Sequence, residues 1–428
     1  MTTQSLTAQT LQKTLTLPQI VALYIGAVLG SGILLIPGIA AEMAGPASLL
    51  SWITMSLVMI PMAITMGLLS AIYPSAGGVS HFVRLVYGHR FGNLVGWFFL
   101  LSVPIGAPIL AVTGATYVTT LLGWEHSRVY LMAGLIIAVV VGMSFLGMQV
   151  TGRLQTIVVS FILAMLVVAI ASAVPHAKIE AFTPFVPHGW LSIFQSASLL
   201  FWCFIGWEAV THLSEEFIDP KKNAMKGVMI SSALIALLYV GVAIMTIATS
   251  SYGTGIKASL STMVQLTFGQ VGGWVVAITA LFICLATANA YVNAAARIAF
   301  ALAKEKSAPA WMGTLHSRTQ APLGGLLFLS GGFVLTLLLL ASGAISLEKL
   351  IQIPNATFMA TYLGGCLAGI KLLRGNKMGH VSAWISLVVT LCLYPFLGWG
   401  GLYPICIFLL VLIFDKSRAN LHKISSDA

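Results

Sequence analysis

The segment LPQIVALYIGAVLGSGILLIPGIA, residues 17–40, is long and apolar enough to cross a bilayer, yet Gly26-Ala27-Val28-Leu29-Gly30-Ser31-Gly32 and Pro37 interrupt it. A second apolar stretch, 191–213, is interrupted in the same way at Phe204-Ile205-Gly206-Trp207-Glu208. Hydrocarbon offers no water to an unpaired amide or carbonyl, and each one costs several kcal/mol. Non-helical backbone therefore persists there only when it is buried in protein or lines a watery cavity. A pair of broken helices in one chain points to the substrate site of a transporter.

The rest of the chain agrees. Of its 428 residues 58% are hydrophobic and only 7% charged, with a mean hydropathy of +0.98, whereas soluble domains are about 25% charged. No polar stretch is long enough to fold a separate water-soluble domain, so one membrane domain takes nearly everything. The net charge of +10 comes from basic residues in loops between apolar spans, which favours membrane orientation over nucleic-acid binding. Cys203, Cys284, Cys366, Cys392 and Cys406 all fall in apolar segments, where a free thiol acts as a small buried hydrophobe. Neither disulfide nor metal spacing is present. Residues 1–16 carry a single positive charge, Lys13, and the apolar run that follows exceeds a signal-peptide h-region, so cleavage is not expected.

A hydrocarbon core about 30 Å thick takes roughly 20 apolar residues per helix. That ruler predicts twelve spans, near 17–40, 47–72, 92–122, 129–147, 154–174, 191–213, 227–249, 271–301, 323–342, 348–372, 380–398 and 401–414, between short tails at 1–16 and 415–428. With both termini inside, seventeen Lys and Arg fall on inner segments and helix ends, Arg297 among them, against Arg128, Lys178, Lys257 and Lys349 outside. The positive-inside rule thus predicts cytoplasmic termini. Broken spans one and six lie five helices apart and have opposite orientations, which predicts an inverted repeat of 17–174 and 191–372 with 380–414 appended.

At the first break three glycines and Ser31 free backbone amides at the amino end of a half-helix, a setting suited to a carboxylate. The alternative for Gly26 and Gly30 is a small-residue packing face. At the second break, unwinding at Gly206 frees carbonyls of Trp202, Cys203 and Ile205 for an ammonium group. Trp202 and Phe204 either cover an apolar side chain and close the cavity or simply pack. Glu208 is the one carboxylate well inside a span, where insertion costs about 3 kcal/mol. It is either a proton carrier or a neutral acid tying down the broken backbone. His212, one turn on, is either its partner or an interfacial residue. Asn289, Asn293 and Asn355 bind ligand or hydrogen-bond between helices, and Pro354 loosens span ten.

These segments resemble the amino acid-polyamine-organocation superfamily over nearly the whole chain. The resemblance rests on Gly30-Ser31-Gly32-Ile33, Tyr73-Pro74-Ser75-Ala76-Gly77-Gly78, Phe204-Ile205-Gly206-Trp207-Glu208 and Glu216-Phe217-Ile218-Asp219-Pro220. Within it, Pro74-Ser75-Ala76-Gly77-Gly78-Val79-Ser80-His81-Phe82-Val83, Phe201-Trp202-Cys203-Phe204 and Leu367-Ala368-Gly369-Ile370-Lys371-Leu372-Leu373 look most like bacterial exporters of methionine and branched-chain amino acids. The resemblance implies an all-α, LeuT-type five-plus-five fold with discontinuous helices one and six. It further implies that Ser31 and Gly32 take the substrate carboxylate, that carbonyls of Val28, Trp202 and Ile205 take the amine, that Trp202 gates the pocket, and that Glu208 takes part in proton coupling. One departure stands out: span five, 154–174, has no Lys or Arg, although many sodium-independent relatives place a Lys there. Ion coupling is therefore not simply inherited, and Thr287 is a candidate hydroxyl ligand near a sodium position.

The expected function is export of methionine, leucine, isoleucine and valine across a bacterial inner membrane in exchange for protons, since no second charged residue within the spans is available to pair with a charged side chain. An importer or exchanger of the same superfamily is the alternative. A membrane enzyme would need a clustered nucleophile and base and a channel a filter or charge ring, and neither pattern is evident. Expected partners are a small amino acid and the bilayer, with no nucleic acid. No cofactor or metal is expected; a proton gradient is the energy source in this reading and sodium stays open.

Overall fold

The computed structural model describes residues 11–125, 127–253, 259–345 and 347–411. Fourteen α-helices run along them: α1 (Leu17–Val28), α2 (Gly32–Ala44), α3 (Ser48–Ile72), α4 (Gly78–Tyr87), α5 (His89–Leu121), α6 (Ser127–Phe145), α7 (Met148–Ala173), α8 (Leu191–Leu200), α9 (Trp207–Thr211), α10 (Pro220–Ala248), α11 (Ser259–Lys304), α12 (Leu323–Ala341), α13 (Leu347–Leu372) and α14 (Lys377–Leu393). A last apolar helix covers Trp399–Val411. Among the described residues no strand forms, and a single parallel bridge joins Leu15 to Phe217. By length and composition, eight helical stretches among the described residues can cross a membrane.

Local chemistry sets the boundaries. Thr16 caps α1 with its amide donating to the Gln19 side chain at 2.8 Å, and Pro18 sits in the first turn, where its missing N–H costs nothing. The helix ends where Leu29 leaves helical geometry (φ −71°, ψ 63°). Between α3 and α5 the sequence Tyr73-Pro74-Ser75-Ala76-Gly77-Gly78 turns the chain into α4, a short helix whose Val79, Phe82 and Val83 are buried. That helix lies between the predicted spans and was not among them. Pro220 opens α10 seven residues before the apolar run at 227, and α11 bends at Gly269 (φ 54°) before continuing to Lys304.

Packing centres on α11 and α5, which lie against one another; α1 packs on α7, α10 and α11, and α13 on α5. From Ala286 to Ala303 every residue of α11 is buried, the pattern of a helix enclosed on all sides. By contrast α7 and α12 present Ile157, Val167, Leu335 and Leu338 outward, as helices facing lipid do.

Two expectations are corrected. Cys203, Cys284 and Cys366 are buried, but Cys392 and Cys406 are exposed, because the helices that carry them turn those faces away from the protein. Arg297 is no loop or end cation: it is fully buried and ion-paired with Glu216. Residues 1–10 of the amino-terminal tail, Lys257, the end of the last span at 412–414 and the tail 415–428 with Lys416, Arg418 and Lys423 lie outside the described residues.

Candidate functional site

Between α1 and α2 the backbone turns back on itself. The Gly30 amide donates to the Val28 carbonyl at 2.7 Å, and α2 starts with weak contacts from Ile33 to Gly30 and from Leu34 to Ser31. The amides of Ser31 and Gly32 donate to no backbone carbonyl among the described residues. They are orphan donors at a helix amino end, where the helix dipole favours negative charge. Gly32 is required here because an added Cβ would lie 2.6 Å from Cys203 Sγ.

The second break is built differently. Phe201–Phe204 tightens into a 3-10 turn, Ile205 is extended, and Gly206 takes φ 141°, a conformation side chains rarely adopt. Its absent Cβ also lets it press on the first break, since a methyl there would sit 2.8 Å from the Ala27 carbonyl carbon and oxygen. Three amides are collected by one phenol: Gly206, Trp207 and Glu208 donate to the Tyr362 hydroxyl at 3.2, 3.0 and 3.4 Å. The Gly206 amide also donates to Glu208 Oε2 at 2.9 Å, and Tyr291 donates to Glu208 Oε1 at 3.1 Å. Carbonyls remain. Tyr239 donates to those of Cys203 (2.7 Å) and Val28 (3.0 Å), while those of Trp202 and Ile205 accept none of the described hydrogen bonds.

Between the breaks lies a narrow cavity. Val28, Ser31, Trp202 and Ile205 line it with Thr287 and Tyr291 of α11, Phe358 of α13, and Val103, Gly106, Ala107 and Leu110 of α5. Its volume of about 40 Å³ has room for about three water molecules. No charged side chain is among these lining residues.

Of the predicted site residues, Val28, Ser31, Trp202 and Ile205 meet at the cavity, with Gly32 and Cys203 pressed together beside it. The Val28 carbonyl already accepts two hydrogen bonds, from Gly30 and Tyr239. Phe204 packs on Trp52 and Tyr239, with ring centroids at 6.3 and 5.1 Å. Asn289 faces Gln155 of α7, donating to its side-chain oxygen at 2.7 Å. Asn355 is half-buried beside Pro354 and is not a lining residue. Thr287 does reach the first break, its hydroxyl 3.0 Å from the Ile283 carbonyl and 3.3 Å from that of Leu29.

Glu208 is fully buried, and the groups at its oxygens are donors: its own broken backbone and Tyr291. His212 is not its partner. The imidazole turns toward the Ala76 carbonyl at 3.4 Å and lies 4.4 Å from the Phe99 ring centroid. Sequence reading also passed over Gln155, whose amide donates to the Ala286 carbonyl at 3.0 Å and occupies the space a Cβ on Gly26 would need. A lone glutamine in a span without Lys or Arg was signal enough to find it. From it a polar chain descends α11: Asn289 contacts Asn293 at 3.0 Å, Asn293 contacts Ser144 at 3.0 Å and Arg297 at 3.2 Å, and Arg297 meets Glu216. Among the described residues no cluster of three His, Cys, Asp or Glu could hold a metal.

A family model described as amino acid permease matches residues 15–416. The chain belongs to the amino acid permease family, within the amino acid-polyamine-organocation superfamily. Similar proteins include an uncharacterized amino acid permease, YecA, of Bacillus subtilis, 37% identical over 92% of this permease and 93% of the relative. The L-methionine/branched-chain amino acid exporter YjeH of Escherichia coli is 32% identical over 92% and 94%. The branched-chain amino acid permease BcaP of Bacillus subtilis is 24% identical over 90% and 88%. The permease is thus a multi-pass membrane transporter of small amino acid substrates and not an enzyme.

Proposed function

We propose that this permease exports neutral, apolar L-amino acids, namely methionine, leucine, isoleucine and valine, by proton antiport. The observation that carries the reading is the cavity between the two breaks. Ser31 with an unpaired amide and Trp202 and Ile205 with unpaired carbonyls line it, the unpaired amide of Gly32 adjoins it, and no charged side chain is among the lining residues. A zwitterion with an apolar side chain matches that arrangement: carboxylate to the amides, ammonium to the carbonyls. That the similar YjeH is an exporter of L-methionine and branched-chain amino acids supports both substrate and direction.

In this reading Glu208 carries the proton, the twelve spans form the repeats 17–174 and 191–372 with 380–414 appended, and both termini face the cytoplasm of a bacterial inner membrane. Because the cavity is far smaller than methionine, a bulky lining residue has to move to admit it, and Trp202 is the gate. Asn289 and Asn355 act from outside the cavity wall. An importer or exchanger of the same superfamily is the second reading, and Thr287 with the Leu29 carbonyl keeps sodium as the alternative ion. Efflux of preloaded labelled L-methionine from proteoliposomes tests the proposal. Flux that follows an imposed proton gradient in wild type and ignores it in folded Glu208→Gln is the expected outcome. Sodium-driven flux, or an unchanged gradient response in the variant, removes proton coupling through Glu208.

A further inference from the structure

A second, larger cavity of about 590 Å³ opens at the amino end of α1, away from the substrate site. It is lined by Lys13, Thr14 and Thr16 before α1, Pro18 and Gln19 in that helix's first turn, Gln149, Arg153, Thr156 and Ile157 of α7, and Ile218. Two cations converge on it, and none of the described lining residues is acidic. Asp219, adjacent to Ile218 in sequence, is not a lining residue, and the ion pairs Arg84–Glu305 and Arg297–Glu216 involve neither Lys13 nor Arg153. The Gln149 side-chain amide adds a donor of the kind that oxyanions accept, while the Thr16 and Thr156 hydroxyls donate to the Gln19 side chain and the Gly152 carbonyl.

The position relative to the bilayer selects the occupant. Arg153 and Ile157 are one helical turn apart on α7, and Ile157 is 66% exposed, with Val150 (41%) and Phe161 (36%) continuing an apolar outward stripe. The cavity therefore joins a cationic, hydrogen-bonding mouth to a lipid-facing helix surface, and basic pockets of this kind between membrane helices bind acidic headgroups.

We propose that this cavity binds the phosphate headgroup of an acidic phospholipid, with Lys13 and Arg153 as the paired cations and an acyl chain along the α7 stripe. The bound lipid acts on the transporter because Lys13 adjoins a clamp. The amides of Thr14 and Leu15 donate to the Glu216 carbonyl at 3.0 and 2.9 Å, and the Ile218 amide donates to the Leu15 carbonyl at 2.9 Å. Fixing Lys13 against α7 holds this clamp, and with it the segment that follows α9.

The test is native mass spectrometry and thermal unfolding of the full-length protein in nanodiscs of phosphatidylglycerol or phosphatidylcholine. Retained phosphatidylglycerol and a raised unfolding temperature are expected, with affinity falling about thirtyfold in Lys13→Ala/Arg153→Ala and recovering in Lys13→Arg/Arg153→Lys. Both positions are at the surface, so the variants fold. Equal retention of the two lipids, or unchanged retention in the alanine pair, overturns the proposal. So does displacement of lipid by millimolar inorganic phosphate alone, which assigns the site to a soluble anion. Tighter lipid binding after deletion of residues 2–10 also overturns it, because the uncharged amino-terminal segment is then the resident occupant.

Discussion

The two helix breaks face each other across one cavity and solve opposite problems. The first, at Leu29–Ser31, satisfies its carbonyls and leaves amides over: Val28 O is occupied by Gly30 and Tyr239, while Ser31 and Gly32 keep free N–H groups. The second, at Ile205–Gly206, satisfies its amides and leaves carbonyls over, because Tyr362 and Glu208 collect the N–H groups of residues 206–208. Two unwindings thus yield a positive pole in one place and a negative pole in the other, and side chains make the choice, Tyr239 and Tyr362 from distant helices and Glu208 from the break itself. An unwound membrane helix has no inherent ligand preference; its neighbours assign one by deciding which half of each peptide stays unpaired.

The contrast can be broken from either side. Gly32→Leu should have the largest effect, because its side chain would collide with Cys203 and fill the approach to the amide pole. Substrate affinity in a binding assay should fall by about two orders of magnitude, the scale of a misplacement near 1 Å, and wild-type binding would end the amide assignment. Tyr362→Phe comes next. It strips an acceptor from three buried amides, so unfolding stability should drop by about 1–3 kcal/mol, read by thermal unfolding in detergent. Tyr239→Phe should be mildest. Its loss of a net hydrogen bond costs about 1 kcal/mol, and by freeing the Cys203 carbonyl and leaving that of Val28 with the Gly30 amide alone it sharpens the comparison. A KM lowered for amino acid with unchanged KM for the α-hydroxy acid analogue would show that those carbonyls had been withheld from the ammonium.

Much of this was legible in the chain. Glycine, serine and proline inside an apolar run have few readings in hydrocarbon, so both breaks and the cavity-lining Ser31, Trp202 and Ile205 follow from local sequence, while Val28 came only with the family resemblance. What local sequence cannot show is which partner arrives from elsewhere. Tyr239 and Tyr362 are ordinary aromatics within apolar spans, and their roles depend on contacts 36 to 211 residues away. The same holds for Arg297, whose position near a helix end resembled an interfacial cation until Glu216 was found against it. Helix α4 escaped because a ten-residue helix falls below the length a bilayer ruler detects.

The descent of Asn289, Asn293 and Arg297 along α11 has a mechanical consequence. These residues recur every fourth position and therefore share a face. Each is fastened to something different: Gln155 of α7, Ser144 of α6 and Glu216 beyond α9. Turning α11 about its own axis by even one residue, about 100°, would shear all three buried fastenings at once. Sliding or tilting together with α6 and α7 shears fewer. The rod is keyed against rotation like a splined shaft.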